Sequence, residues 1–374
     1  MQKILINCIT MDAANLAPLH AKISYWNKQN FKITIIGSQL LKQRLNDEMQ
    51  CSYFEYFEIG KGFQVTGNIL FLLKGILNNL RGLILIRKLK DQFDIVYSIS
   101  SVLDLLIIPY ALKIIDKKIK WVTVFDNLVT IKEPGNRIHR LLAWLFFIIS
   151  LSLIKKADRV CAISEELRDY LLAVGFKNAK LVLTGNAVES ELIFQAETSK
   201  HFAYDALFVG RINEAKGIYD MIEVLKIILP QHRHFTLAIL GQGDPDTLSK
   251  FKQYISHSGV EKNVIFLGQK TGLEKFNIFK KSKCFWFLSG NESFGIALLE
   301  AVCCGLPAFA YNLPPYEKLY QNGEVVISPK GDIRDVAKNV LSVFKSGKFE
   351  NVEGARLLKK YSWESIAEIE MRYL

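Results

Sequence analysis

The sequence lacks the paired cysteines of a metal or disulfide framework. Its six cysteines stand singly at Cys8, Cys51, Cys161 and Cys284 and side by side at Cys303 and Cys304, a pattern that fits reduced thiols in a reducing compartment. No apolar run reaches the roughly 20 residues needed to cross a bilayer: Leu141 to Ile154 is fourteen long. No glycine occurs in the loop from Thr10 to Pro18, and no Gly-x-Gly-x-x-Gly follows the first strand, which argues against a nicotinamide-binding dehydrogenase. The net charge of +11 comes without an interleaved basic and aromatic platform, so nucleic acid is not expected as a partner.

What is present is a regular alternation. A chain of 374 residues is about two domains' worth. Lys3 to Ile9 is interrupted at Asp12 and reads as a buried strand rather than a signal sequence. Further strands are expected at Lys32–Gly37, Asp94–Ile99, Trp121–Phe125, Arg159–Ile163 and Lys180–Leu183. After the polar stretch Glu189 to Tyr204 they resume at Ala206, Thr236, Asn263, Cys284, Pro307 and Glu324. Strands alternating with helices imply an α/β fold with doubly wound parallel sheets. The expected organisation is 1–188 as one domain, 189–204 as linker, 205–360 as a second domain, and 361–374 as a helix packing back toward the first.

Two segments carry the chemistry. Glu292-Ser-Phe-Gly-Ile-Ala-Leu-Leu-Glu300 sets two carboxylates and a small-residue turn at the start of an apolar helix. Ser293, Phe294 and Gly295 fall where unpaired amides and the helix dipole favour phosphate oxygens, and carboxylates accept pairs of sugar hydroxyls. Ala206-Leu-Phe-Val-Gly-Arg-Ile-Asn-Glu-Ala-Lys-Gly217 reads as strand, glycine turn and helix start. Arg211 and Lys216 project there as a forked and a point-like cation suited to a diphosphate. The bland alternative makes Glu292 a solvated helix-start residue, Glu300 a surface residue and Gly295 a turn. Asp244-Pro-Asp246 looks like a metal motif but follows a Gly-Gln-Gly turn and reads as a helix start, so no metal is expected. Pro314-Pro315-Tyr316 reads as a rigid turn.

Together these segments resemble the donor-binding half of the GT-B glycosyltransferases, specifically the retaining enzymes of glycosyltransferase family 4. The likeness continues through Leu240-Gly-Gln-Gly243, Val264-Ile-Phe-Leu-Gly268, Ala301 to Pro307 and Tyr361-Ser-Trp-Glu364. It implies two Rossmann-like domains facing across a cleft, and a nucleotide diphosphate sugar, UDP- or GDP-linked, as co-substrate with no other cofactor. Glu292 would contact the transferred sugar, Glu300 the ribose, and Arg211 and Lys216 the diphosphate. Gly210, Gly241, Gly243, Ser293, Phe294, Gly295 and Ile296 complete the implied donor set. Retaining, metal-independent transfer to a carbohydrate or lipid-linked acceptor is the implied activity, in cell-surface polysaccharide or glycoconjugate synthesis. The alternatives are another GT-B enzyme, such as a sugar-nucleotide epimerase or phosphorylase, and a degenerate member kept as a binding or scaffold subunit.

The acceptor side is less legible. Relatives carry a histidine and an acidic residue after the strand that ends at Phe125; here Phe125 takes the histidine's place, and Asp126 alone is left for the acceptor, or else as a helix cap. His20, in the first turn of the helix opened by Pro18, can reach the same side. Charge favours this half: residues 1–200 hold 26 of the 48 Lys and Arg against 18 of the 37 Asp and Glu. No acid occurs between Glu58 and Asp91, a stretch rich in Leu, Ile and Phe and punctuated by Lys61, Lys74, Arg81, Arg87, Lys88 and Lys90. That run, and Leu141–Ile154 followed by Lys155 and Lys156, read either as core helices with basic margins or as surfaces for peripheral contact with an anionic membrane. The expected location is the cytoplasm, with association at the inner face of the cytoplasmic membrane.

Overall fold

The computed structural model describes residues 1–12, 16–49, 54–62, 69–129, 137–197, 201–351 and 353–374. Chain order runs β1 (Lys3–Asn7), α1 (Ala17–Lys28), β2 (Lys32–Gly37), α2 (Gln39–Met49), β3 (Glu55–Glu58), α3 (Ile69–Leu89), β4 (Ile95–Ser98), α4 (Leu103–Ile115), β5 (Lys120–Phe125), α5 (Arg137–Ile154), β6 (Arg159–Ala162), α6 (Glu165–Ala173) and β7 (Leu181–Leu183). It continues with α7 (Ser190–Gln195), β8 (Tyr204–Val209), α8 (Ile218–Ile228), β9 (Leu237–Leu240), α9 (Pro245–His257), β10 (Val264–Gly268), α10 (Gly272–Lys280), β11 (Ser282–Phe287) and α11 (Ile296–Cys303). The last elements are β12 (Ala308–Tyr311), α12 (Pro314–Leu319), β13 (Val325–Ser328), α13 (Ile333–Ser346), α14 (Gly354–Lys360) and α15 (Trp363–Met371).

Two compact units result: 1–186 with 363–374, and 187–362. Each is built on one parallel sheet, ordered β3-β2-β1-β4-β5-β6-β7 in the first and β10-β9-β8-β11-β12-β13 in the second. Their central strands are continuous apolar runs because helices cover both faces. β3 is the strand that periodicity does not reveal. It is four residues long with an acid at each end, and it sits at the sheet edge beside β2. Helix starts follow local chemistry: Ser164 accepts from Leu167 N at 3.3 Å, and Asp244 accepts from Thr247 N at 2.9 Å, the capping role its sequence context suggests.

Residues 189–204, expected as linker, belong to the second unit where described. α7 buries Ile193 and packs on α10, and Glu197 N donates to Asn277 Oδ1 at 2.9 Å. A helix of six residues with one buried side chain has no periodicity to announce it. Tyr361 also stays with the second unit, accepting from Val188 N at 2.9 Å.

Right-handed crossovers put α1 and α2 on one face of the first sheet and α3, α4 and α5 on the other; α3 packs on α4 and α4 on α5. On the α1 face, α15 is held by a buried polar cluster. Lys22 Nζ donates to Glu370 Oε1 and to Tyr97 Oη, both at 2.7 Å, and Tyr97 Oη donates to Glu370 Oε2 at 2.7 Å. Trp26 Nε1 donates to Ala367 O at 3.0 Å, and its ring meets Tyr97 edge-on at 5.0 Å. Burial first, and then the Glu370 carboxylate, push the Tyr97 hydroxyl well above its ordinary pKa, so it stays a donor. Removing one member strands a charge in the core. Glu370→Ala is therefore expected to destabilise the first unit by about 3–5 kcal/mol, whereas Lys22→Met with Glu370→Leu recovers most of that loss; urea unfolding of the three proteins checks it.

Candidate active site

In the second sheet the strand order reverses between β8 and β11, the place where open α/β sheets bind ligands. The loops leaving these two strands are stitched together. Gly290 N donates to Ala215 O at 2.8 Å, and Ser289 Oγ donates to the same carbonyl at 3.1 Å. Within the first loop, Asn213 Oδ1 accepts from Lys216 N at 3.1 Å and caps a single 3-10 turn, Glu214–Lys216. That turn aims Lys216 at the second loop, where its ammonium pairs with Glu292 and stands 5.7 Å from the centre of the Phe287 ring. Arg211, on the same loop, is exposed. The two cations expected on one diphosphate thus differ: Arg211 reaches solvent, whereas Lys216 is already engaged by the carboxylate expected to touch the sugar.

β9 closes on this site through glycine. A Cβ on Gly241 would stand 1.8 Å from Gly210 O, and one on Gly243 would stand 2.5 Å from Ile212 O, so the two strand ends approach as closely as backbones allow. Beyond them a cavity of about 280 Å³ is lined by Ile212, the Gly241–Gly243 turn, Leu248, Lys252, Phe266 and Gly268.

Helix α11 begins at Ile296, later than the motif suggests, so Glu292 lies four residues ahead of it and Glu300 one turn inside. Gly295 is its N-cap with φ +80°, and the Tyr316 hydroxyl lies 2.8 Å from where a Cβ would be. Both facts require glycine. Leu298 N and Leu299 N donate to Gly295 O at 3.1 Å, so the amides that precede them, of Ile296 and Ala297, are the ones an α-helix leaves without intrahelical partners at the positive end of its dipole. Ser293 is in the turn before the cap, and Ile296 is exposed. Phe294 departs from expectation: its side chain is buried against Tyr361, with ring centres 5.8 Å apart, so only its backbone faces the site. Pro314-Pro315-Tyr316 opens α12, and Tyr316 is buried with a hydroxyl that has no partner among the described residues.

Glu300 is buried, not on the surface. Lys275 Nζ donates to its Oε1 at 2.7 Å and lies 3.7 Å from Glu189. Burial raises the Glu300 carboxyl above its ordinary pKa, and Lys275 opposes the rise. Lys275 is the residue that sequence reasoning missed. It sits in α10 with its ammonium 4.4 Å from the Phe276 ring centre, and no motif surrounds it. Nearby Cys303 is inert, its thiol pushed up to about 12 by burial and then by Glu300.

The first unit holds the other predicted residues. Asp126, half-buried after β5, caps no helix; it accepts from Ser100 Oγ at 3.0 Å, Ser101 Oγ at 3.1 Å and Ser101 N at 3.2 Å. Burial raises its carboxyl and these bonds oppose the rise. His20 is half-buried in the first turn of α1, and the Ala13 and Ala14 positions of the preceding loop lie outside the described residues. A second carboxyl, Asp104 in the first turn of α4, was not foreseen. It stands beside Gly75 of α3 and is raised by burial.

Residues 23–192 match the Glycosyltransferase Family 4 model, and residues 189–356 match the Glycosyl transferases group 1 model. A phosphatidyl-myo-inositol mannosyltransferase of Mycobacterium leprae is 27% identical over 172 residues, 44% of this chain and 45% of that one. A GDP-mannose:cellobiosyl-diphosphopolyprenol alpha-mannosyltransferase of Xanthomonas campestris is 24% identical over 213 residues, 56% of each. The chain thus spans about half the length of the curated relatives it matches. Among solved structures, HepE of Anabaena in complex with UDP and glucose is 15% identical with a TM-score of 0.74, covering 100% of this chain and 99% of that one. Sucrose-phosphate synthase of Thermosynechococcus elongatus is 14% identical with a TM-score of 0.76, covering 100% and 98%. The fold is therefore GT-B, and with consecutive family models accounting for residues 23–356 the chain belongs to the group 1 glycosyl transferases of glycosyltransferase family 4.

Proposed function

We propose that the chain transfers a sugar, with retention and without a metal, from a UDP- or GDP-sugar to a carbohydrate or lipid-linked acceptor in polysaccharide or glycoconjugate synthesis. The observation that carries this reading is the convergence, at the β8–β11 reversal, of exposed Arg211, the Lys216–Glu292 pair and the open start of α11, with Glu300 buried one turn inside that helix. Arg211 and the first-turn amides would face the diphosphate, where fixed dipoles stabilise charge as it develops. Lys216 holds Glu292 in place and would share its own charge with the departing phosphate. Glu292 would accept hydroxyls of the transferred sugar, and Glu300, oriented by Lys275, those of the ribose. The cavity beside the Gly241–Gly243 turn suits the base.

In the transfer, the bond from the anomeric carbon to the phosphate oxygen breaks as the acceptor oxygen bonds to the same face. The acceptor's proton passes to the leaving phosphate. On the acceptor side Asp126, set by its serine pair, and His20 are the residues assigned. Relatives named for phosphatidyl-myo-inositol and for a diphosphopolyprenol support a lipid-linked acceptor. Such an acceptor would place the enzyme in the cytoplasm with peripheral contact at an anionic membrane; among the described residues no helix is long and apolar enough to cross one.

Calorimetry with UDP, GDP, ADP and NAD tests the donor site. One nucleoside diphosphate is expected to bind, and Arg211→Ala, Lys275→Ala and Glu300→Ala should each weaken it about 10- to 100-fold, the scale of a lost charged hydrogen bond; binding of none, or of NAD alone, sinks the reading. The pH dependence has a definite sign. Two ribose hydroxyls need an ionised acceptor, so affinity is full above the raised Glu300 pKa and falls as pH drops through it, starting at higher pH than for an ordinary glutamate. Glu300→Gln should bind more weakly with a flat profile. NMR of the product should show a retained anomeric configuration, and a chelator should leave the rate unchanged; inverted product would refute the proposed chemistry.

A further inference from the structure

The helix layer α3-α4-α5 on the first sheet has an outer surface of the wrong polarity for water. α5 is apolar on both sides. Phe147, Leu151 and Ile154 are buried, yet Leu141, Leu142, Leu145, Ile148 and Ile149 are 38–55% exposed. At 3.6 residues per turn the exposed five fall within an arc of about 120°, opposite the buried three. α3 is mixed: it buries Ile86 and Leu89 at its C-terminal end, but its middle turns point the wrong way. Asn78 and Asn79 are each 2% exposed, while Leu77, Leu80 and Ile84, spaced i, i+3, i+7, are 46–76% exposed. Ile114 and Ile115 add exposed apolar surface at the end of α4, the helix between them. The α5 stripe alone exposes on the order of 400 Å², at the scale where a patch on a monomer marks an interaction site.

Charge selects the occupant. Neither α3 nor α5 contains an Asp or Glu. Arg81 is exposed next to Leu80, and Lys155 and Lys156 are exposed directly after α5. A second copy seated symmetrically would set this basic rim against itself. An anionic bilayer answers both features, since acyl chains take the apolar stripes and headgroups take the cations.

We propose that the outer faces of α3 and α5 form a docking surface for anionic lipid, with the helices lying along the membrane. This deepens the proposed function, resting on it only for the purpose of the contact, which is to bring the acceptor site to a lipid-linked acceptor. The buried asparagines of α3 then belong to the protein side of an element whose solvent is lipid.

Flotation of the full chain with vesicles of phosphatidylcholine, with and without phosphatidylglycerol, tests the surface at low salt. Wild type is expected to float with the anionic vesicles and to be released as salt rises. Leu145→Glu with Ile149→Glu should reduce binding at least tenfold, with unchanged circular dichroism and urea midpoint because both side chains face outward. Lys155→Glu with Lys156→Glu should cut the preference for phosphatidylglycerol. Failure of wild type to float, undiminished floating of Leu145→Glu with Ile149→Glu, equal binding to neutral vesicles, or a solution dimer with no vesicle affinity would each overturn the proposal. Nucleoside diphosphate binding measured on the same samples separates the two readings. Floating without nucleotide binding upholds the surface and removes the transferase reading; nucleotide binding without floating does the reverse.

Discussion

Parallel pairing between β8 and β11 is the constraint on which the candidate site of the second unit depends. Tyr204, Ala206 and Leu207 pair with Ser282, Cys284 and Phe285, so the loops after Val209 and Phe287 emerge side by side although they are far apart in sequence. Their closeness lets Ala215 O accept from both Gly290 and Ser289, and lets a cation from one loop meet a carboxylate from the other. Glycine at 241 and 243 brings β9 into the same corner, because two backbones at contact leave no room for a Cβ. The site is thus made of strand ends and turns rather than of a single motif.

Electrostatics in this corner is local and paired. Glu292 has Lys216 and Glu300 has Lys275, so each buried or half-buried carboxylate keeps a counter-charge. Arg211 is left exposed. The helix start at Gly295 adds partial positive charge without a side chain. On the reading proposed above, such a division between cations that hold carboxylates and groups that would meet phosphate is a form of preorganisation.

The first unit follows a different logic. One face of its sheet is sealed by α15 through the Lys22, Tyr97 and Glu370 cluster, where three polar groups satisfy one another in an apolar interior. The other face presents leucine and isoleucine outward as well as inward, and buries Asn78 and Asn79. The two faces differ because one is matched to protein and the other is matched, on the reading proposed above, to lipid.

Sequence alone determined the repeating strand and helix pattern, the parallel sheets and where the two motif segments lie in it, because continuous apolar runs, turn glycines and helix-start carboxylates are local signals. It left β3 unread, since four residues with an acid at each end have no apolar alternation. It read α7 as linker for want of length, and it could not separate core helix from membrane surface in α3 and α5, because an apolar stripe reads the same in sequence whether protein or lipid covers it. Tertiary structure decided the partners: Lys275 for Glu300 across 25 residues and Lys22 for Glu370 across 348. It also decided that Phe294 turns inward and that Asp126 is tied to serines rather than capping a helix. These are contacts between distant segments, and only the packing that brings such segments together can specify them.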